Sequence, residues 1–189
     1  MSDDLVHDRD AAWQLLTEWT HSEPLIRHAL AVEAAVRAYA REGDEDEEAW
    51  GNVALLHDFD YERHPTLDQH PQDGAPVLRE RGYPEWFVRA VLSHGDHTGV
   101  TRETDLERCL FAVDELCGFV TACTLVLPSK AIADLKYESV KKRMKDKAFA
   151  RSVNRDDIVN GAEAIGMTVE DHIAFVVGAM RGSAPELGL

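Results

Sequence analysis

The sequence predicts an all-α fold, and three observations carry that prediction. Apolar residues recur at i, i+3, i+4 and i+7 along most of the chain. Proline, glycine and Thr-x-x-acidic patterns punctuate those stretches, and no Val/Ile/Thr-rich run alternates as a strand would. With 189 residues and 44% hydrophobic content, the chain can bury one sizeable core. It contains no internal repeat and no low-complexity tract, so a single domain over residues 1–189 is expected.

The elements follow in order. Ala11 to Trp19 is a short first helix. Ser22 is placed to cap a second, which has Pro24 in its first turn and ends near Gly43. After the loop Gly43-Asp44-Glu45-Asp46, a third helix runs from about Glu47 to about His57. A turn-rich segment then passes His64-Pro65 and His70-Pro71, and a short helix lies near Val77. Pro84 opens another helix that reaches His94. The capping box Thr104-Asp105-Leu106-Glu107 starts a long helix through about Leu125, which Pro128 terminates. Helical stretches are predicted over Ser129 to Ala150 and Asp156 to Ile165. A last helix starts at Thr168-Val169-Glu170-Asp171, with a frayed tail after Gly182.

Charge and composition exclude several function classes. Twenty Lys and Arg against 35 Asp and Glu give a net charge of −15, which disfavours duplex nucleic acid and anionic membranes as partners. No eighteen-residue apolar run occurs. The start Met1-Ser2-Asp3-Asp4 is acidic where a secretory leader is basic and then apolar, so a cytoplasmic protein is expected. Cys109, Cys117 and Cys123 lack C-x-x-C spacing and share one predicted helix, which makes them reduced core residues. From Lys130 to Arg155 the balance reverses, with nine basic residues against three acidic ones. That segment is either a solvated helix face or an anion site.

Four helices turn a metal-ligand type of residue toward the core. Trp50, Val53 and Ala54 form a stripe whose i+7 position is His57, and Phe87, Ala90 and Val91 form one whose i+7 position is His94. His28 lies on the stripe of Leu25, Ala29, Val32, Val36 and Tyr39, and Asp114 lies among Leu110, Val113 and Cys117. A lone inward histidine is usually a hydrogen-bonded core residue. An ionised carboxylate in an apolar stripe, however, costs several kcal/mol unless it is paired or coordinated, and no Lys or Arg shares that face with Asp114. A divalent metal satisfies all of these groups together. Imidazole and carboxylate ligands without thiolate suit iron, manganese, zinc, nickel or cobalt.

The order His28, then the doublet His57-Asp58, then Asp114 on successive helices resembles the HD superfamily of metal-dependent phosphohydrolases. The likeness covers about residues 25–125, with a helical extension over about 129–182, and implies an HD-type helical bundle with the metal site in its core. His70-Pro71-Gln72-Asp73-Gly74 and then His94 are similar to the extended pattern of the binuclear branch. There two further histidines ligate a second ion and the doublet aspartate, here Asp58, bridges both. His64 and His97 are the alternatives to His70 and His94. Whole-chain order is similar to a bacterial group of predicted HD hydrolases. Against the branch that cleaves cyclic dinucleotides, the chain has Tyr61 in place of a lysine and His94-Gly95 in place of a histidine pair, so no nucleotide is selected.

The resemblance implies one or two divalent transition metals and water attack on a small phosphorylated metabolite or nucleotide. Asp58 would orient the nucleophile, Asp60 or Glu62 would act behind the ligands or move a proton, and Lys130, Lys142 and Lys145 would meet substrate phosphate. The same six ligands also serve mixed-valence di-iron oxygenases similar to myo-inositol oxygenase. A sensing domain that keeps the metal for stability is a third class, weakened by the intact ligand set. His7, His21 and His172 lie outside these patterns and are expected to be surface or packing residues.

Overall fold

The structure, a computed structural model, describes residues 2–189; Met1, part of the acidic start, lies outside them. Among the described residues there are eleven α-helices and no strand. In chain order they are α1 (Ser2–Val6), α2 (Arg9–Trp19), α3 (Glu23–Glu42), α4 (Glu47–Leu55), α5 (Gly74–Arg81), α6 (Glu85–Ser93), α7 (Asp105–Leu125), α8 (Tyr137–Met144), α9 (Arg155–Ala164), α10 (Val169–Gly182) and α11 (Ala184–Leu187). No helix among the described residues is long and apolar enough to cross a membrane.

Two long helices organise the molecule. The stripe of Ala29, Val32, Ala35 and Val36 on α3 packs against α4, α7, α10 and α11. On α7 the apolar residues run nearly all round, including the three free cysteines, and the helix is enclosed by α3, α6, α9 and α10. Its start is the predicted capping box. The Glu107 amide donates to the Thr104 hydroxyl at 3.2 Å, and the Glu107 carboxylate accepts from the Thr104 amide at 3.0 Å. Thr168 likewise accepts from the Asp171 amide to open α10. On the α7–α9 seam a Cβ at Gly161 would stand 2.6 Å from the Cα of Ala112, so only glycine permits that approach. One core cluster extends from Val6 to Leu187.

Four expectations are corrected. α1 was not foreseen, because five residues offer no readable period; it is tied in by Asn52, which donates to the Val6 carbonyl at 2.8 Å. Residues 129–150 do not form one helix. Lys130 adopts φ +52°, Ile132–Asp134 make a single 3-10 turn, and only Tyr137–Met144 are α-helical. The left-handed backbone at Lys130 interrupts any helix there, and Arg181 of α10 donates to the carbonyls of Ile132 and Leu135, supplying from outside the partners that a continuous helix would provide. The tail is not frayed, since α11 inserts Leu187 at 2% exposure. Finally, the Ser22 side chain makes no capping bond at the start of α3.

Candidate metal centre

The His-Asp doublet sits just past α4, where the backbone leaves the helix for a series of turns. Leu56 and Phe59 are fully buried and anchor those turns in the core, aided by the Thr20 hydroxyl on the Phe59 carbonyl at 2.8 Å. The intervening His57 and Asp58 are thereby held against α3 and α7, which carry His28 and Asp114. His70 comes from the turn before α5, and His94 caps the C-terminus of α6.

These residues converge as two groups of donor atoms, His28, His57 and Asp114 in one and Asp58, His70 and His94 in the other, each compact enough to hold a metal ion. Asp114 Oδ1 lies 2.9 Å from His28 Nε2 and 3.5 Å from His57 Nε2. Asp58 stands between the groups. Its Oδ2 is 3.7 Å from His28 Nε2 and 3.4 Å from His57 Nε2, while its Oδ1 is 3.0 Å from His70 Nε2 and 3.4 Å from His94 Nε2. The two inner nitrogens of His70 and His94 are 3.2 Å apart.

Hydrogen bonding behind the rings fixes which nitrogen each presents. His57 Nδ1 donates to the Ala54 carbonyl at 2.7 Å, and His94 Nδ1 donates to the Val91 carbonyl at 2.6 Å. Carbonyls only accept, so Nδ1 carries a proton and Nε2 is the nitrogen that faces inward, where a cation would displace any proton it holds. His70 Nδ1 meets Asp60 Oδ1 at 2.8 Å. Asp60 is fully buried, and a Cβ at Gly74 would come within 2.7 Å of its Cγ, so glycine there makes room for this support. His57 Nε2 is buried and has no hydrogen-bond partner, a polar orphan that a cation would satisfy.

Charge in the cluster is balanced by protons. Burial alone would lower His57, but the carboxylates of Asp58 and Asp114 outweigh it and raise the ring well above its usual value. Burial alone would raise Asp58 and Asp114, and the histidines outweigh it and hold both low. His70 is carried up to about 9, its burial overcome by Asp58 and Asp60. Binding of a cation displaces such protons, so this donor set fits a metal ion and competes with hydrogen ions for it.

A cavity of about 490 Å³ opens over both groups, walled by Tyr61, Leu67 and Phe111 as well as by polar residues. Sequence reasoning missed Glu115, Asn154 and Asp157 in its lining. The Asn154 amide donates to Glu115 at 3.1 Å, and its side chain donates to Asp157 at 2.7 Å. Burial and the neighbouring Asp114 push the Glu115 carboxyl up to about 7. Asn154 caps α9, and only the docking of α9 on α7 brings it here. Its one sequence hint was its position as a helix cap.

Several expected residues are placed elsewhere. Glu62 does not line the cavity. Its carboxylate accepts from the His21 and Ser22 amides at 2.7 and 2.8 Å and does the capping that Ser22 does not, which corrects its expected catalytic role. Lys130, Lys142 and Lys145 do not line it either. Lys130 is exposed on the turn before α8, and Lys142 and Lys145 border a separate concavity, because residues 129–150 turn away instead of continuing as a helix. His97 also lines the cavity but donates Nε2 to the His70 carbonyl at 2.7 Å, and His64 lies 3.7 Å from Asp73; neither belongs to the two groups. His172 is buried between the Tyr39 hydroxyl and the Ala112 carbonyl, a packing role.

Comparison with known proteins gives one match, a sequence model of the HD domain that covers residues 25–118. No significant match is found among curated proteins or solved structures. The matched region spans His28, the His57-Asp58 doublet, His70, His94 and Asp114, the residues that make up the two donor groups, all but His57 lining the cavity. On that footing the chain belongs to the HD superfamily.

Proposed function

We propose that the protein is a cytoplasmic phosphohydrolase that cleaves a small phosphorylated metabolite or nucleotide at a two-ion centre held by His28, His57, Asp58, His70, His94 and Asp114. The observation that carries this reading is the position of Asp58, whose two oxygens face two separate histidine sets. HD domains are generally metal-dependent hydrolases, which supports the reaction class. Bound divalent ions supply a water whose pKa approaches ~7 and positive charge opposite the phosphoryl oxygens. The chain's own residues set the rest. Asp60 and the backbone carbonyls of Ala54 and Val91 hold the ligand rings in orientation, and Tyr61, Leu67 and Phe111 narrow the approach. Three buried thiols suit the reducing cytoplasm.

The test is metal analysis of protein purified without added metal. It is followed by phosphate release from a panel of monoesters and nucleotides with manganese, cobalt or nickel under anaerobic conditions. Release that requires the metal supports the reading, and a fully loaded protein silent on the whole panel overturns it. One observation favours a second reading, a mixed-valence di-iron oxygenase: every ionisable group lining the cavity among the described residues is a carboxylate, a histidine or Tyr61, so no lysine or arginine greets an anionic substrate. Two iron atoms per chain with substrate-dependent O₂ uptake would move the assignment there.

A further inference from the structure

We propose that the stretch from Ser139 to Arg155 forms a second binding site, for a small anion that carries several phosphate groups. The inference does not require the hydrolase reading, although one of its two outcomes rests on it. All six lysines of the chain fall between Lys130 and Lys147. Of the eleven arginines outside the basic stretch, nine pair with a carboxylate. Among the described residues, none of the nine basic side chains from Lys130 to Arg155 does. On a chain of net charge −15, a region with nine basic residues against three acidic ones and no ion pair among the described residues concentrates positive potential in one place.

The surface there is concave, which a merely solvated helix face would not require. One hollow of about 490 Å³ is lined by Ser139, Lys142, Arg143 and Lys145, with Asp146 and Phe149. A second, of about 520 Å³, is lined by Lys145, Lys147, Arg151 and Arg155 beside Asp156 and the start of α9. Lys145 belongs to both. The volumes suit a small molecule. Arg155 is committed to structure, since its guanidinium lies over Phe119 and donates to the carbonyls of Phe149, Ala150 and Val153. It thereby fixes the turn that carries the others. Lys142, Lys145, Lys147 and Arg151 remain as donors spread over two joined hollows, an arrangement that a single phosphate cannot fill and a chain of phosphates can. The N-terminal end of α9 adds its partial positive charge.

Asn154 lines both the second hollow and the metal cavity. The ligand is therefore either the far end of a substrate that reaches across Asn154 or a separate effector, and one experiment separates them. Inorganic tripolyphosphate and orthophosphate are titrated calorimetrically into metal-loaded protein, with metal content measured again afterwards because polyphosphate chelates. The metal-loaded proteins are the wild type and the double variants Lys142→Ala/Lys145→Ala and Lys147→Ala/Arg151→Ala, and His57→Ala, expected to lack at least one ion, is titrated beside them. Tripolyphosphate should bind the wild type more tightly than orthophosphate, and each double variant should weaken it at least about tenfold without altering metal content or helicity. Unchanged binding by His57→Ala identifies an effector site, whereas weakened binding identifies a substrate's distal end. Double variants that bind tripolyphosphate like the wild type, or a wild type that prefers orthophosphate, overturn the proposal. Hydrolysis of simple monoesters is a separate readout that these variants should leave intact, so failure here and failure of the hydrolase reading are distinguishable.

Discussion

Asp60 Oδ1 accepts the Nδ1 proton of His70 at 2.8 Å, and this contact turns the other ring nitrogen to within 3.0 Å of Asp58. Asp60 is thus a positioning residue for one of the two groups only. Asp60→Asn should lower affinity at the Asp58/His70/His94 group by about ten- to hundredfold, the usual effect of losing a carboxylate behind a ligand histidine. Titration of metal-stripped protein should show one weakened site and one unchanged. Two sites of wild-type affinity would disprove the positioning role.

The shared position of Asp58 predicts an ordered series of metal contents. Asp58→Ala should empty both groups, His57→Ala should empty the one completed by His28 and Asp114, and His70→Ala or His94→Ala should reduce two ions toward one. Circular dichroism of each variant should show wild-type helicity, so that loss of metal is not loss of fold. A wild type that holds a single ion, with His70→Ala holding the same, would leave only the simpler site.

Stability should depend on pH in the metal-free protein and not in the metal-loaded one. In the metal-free protein His70 is raised from 6.5 to about 9, so its proton adds stability that is fully present below about pH 6.5 and is lost as pH rises through about 9. His57 acts in the same direction. Asp58 and Asp114, held low, contribute above the ordinary carboxylate range and stay constant in this window. Glu115, raised to about 7, costs stability that accumulates from about pH 4.5 to 7 and stays constant above, so most of its change precedes the His70 window. Chelator-treated protein should therefore lose denaturation midpoint from pH 7 to 9.5, while metal-loaded protein holds steady, because the inner nitrogens no longer carry protons. A flat curve for the stripped protein would contradict the protonated cluster.

A buried ion network ties the N-terminal helices together away from the site. Glu33 is 4% exposed and accepts from Arg9 at 2.6 and 2.8 Å and from Arg37 at 2.9 Å, and Arg37 continues to Glu48. Glu33→Ala leaves two arginines short of a partner and should destabilise the fold by on the order of 3 kcal/mol. Metal content should be unaffected. A loss under ~1 kcal/mol in denaturant melts would mean that solvent and Glu48 replace Glu33 fully.

The legible parts of this chain are those where one local pattern determines the outcome. The Thr104/Glu107 box marked the start of α7, and the i+7 positions of two apolar stripes led to His57 and His94, because helix period and burial are short-range properties. Asp60 was readable as a candidate supporting residue by its place beside the doublet, and its side chain meets His70 Nδ1. Glu62, two residues further on, shared that adjacency and was misread, since only the fold shows it against the His21 and Ser22 amides. Glu115, Asn154 and Asp157 were illegible for a related reason: they meet where α9 docks on α7, across 39 residues of chain between Glu115 and Asn154. Lys142 and Lys145 read as ligands of a phosphate held at the metals while residues 129–150 read as one helix, but the break at Lys130 and the 3-10 turn at Ile132–Asp134 carry them to a separate concavity.

The α7–α9 seam allows the cavity to be changed without touching a ligand. A methyl group at Gly161 would meet the backbone of Ala112 at 2.6 Å and its carbonyl oxygen at 3.3 Å, and neither atom can rotate away. Gly161→Ala should therefore force the helices apart, costing ~1–3 kcal/mol as overpacking does. Because Asn154 and Asp157 travel with α9 while His28, His57, Asp58, His70, His94 and Asp114 do not, metal content should stay at the wild-type level. The bond from the Asn154 amide to Glu115 should weaken, and with it the shape of the wall opposite the ligands. Turnover should fall through KM more than through kcat, the mark of a binding wall and not of the reacting centre. Loss of metal from Gly161→Ala would show instead that α9 supports the ligands through α7, and would merge the wall and the metal centre into one mechanical unit.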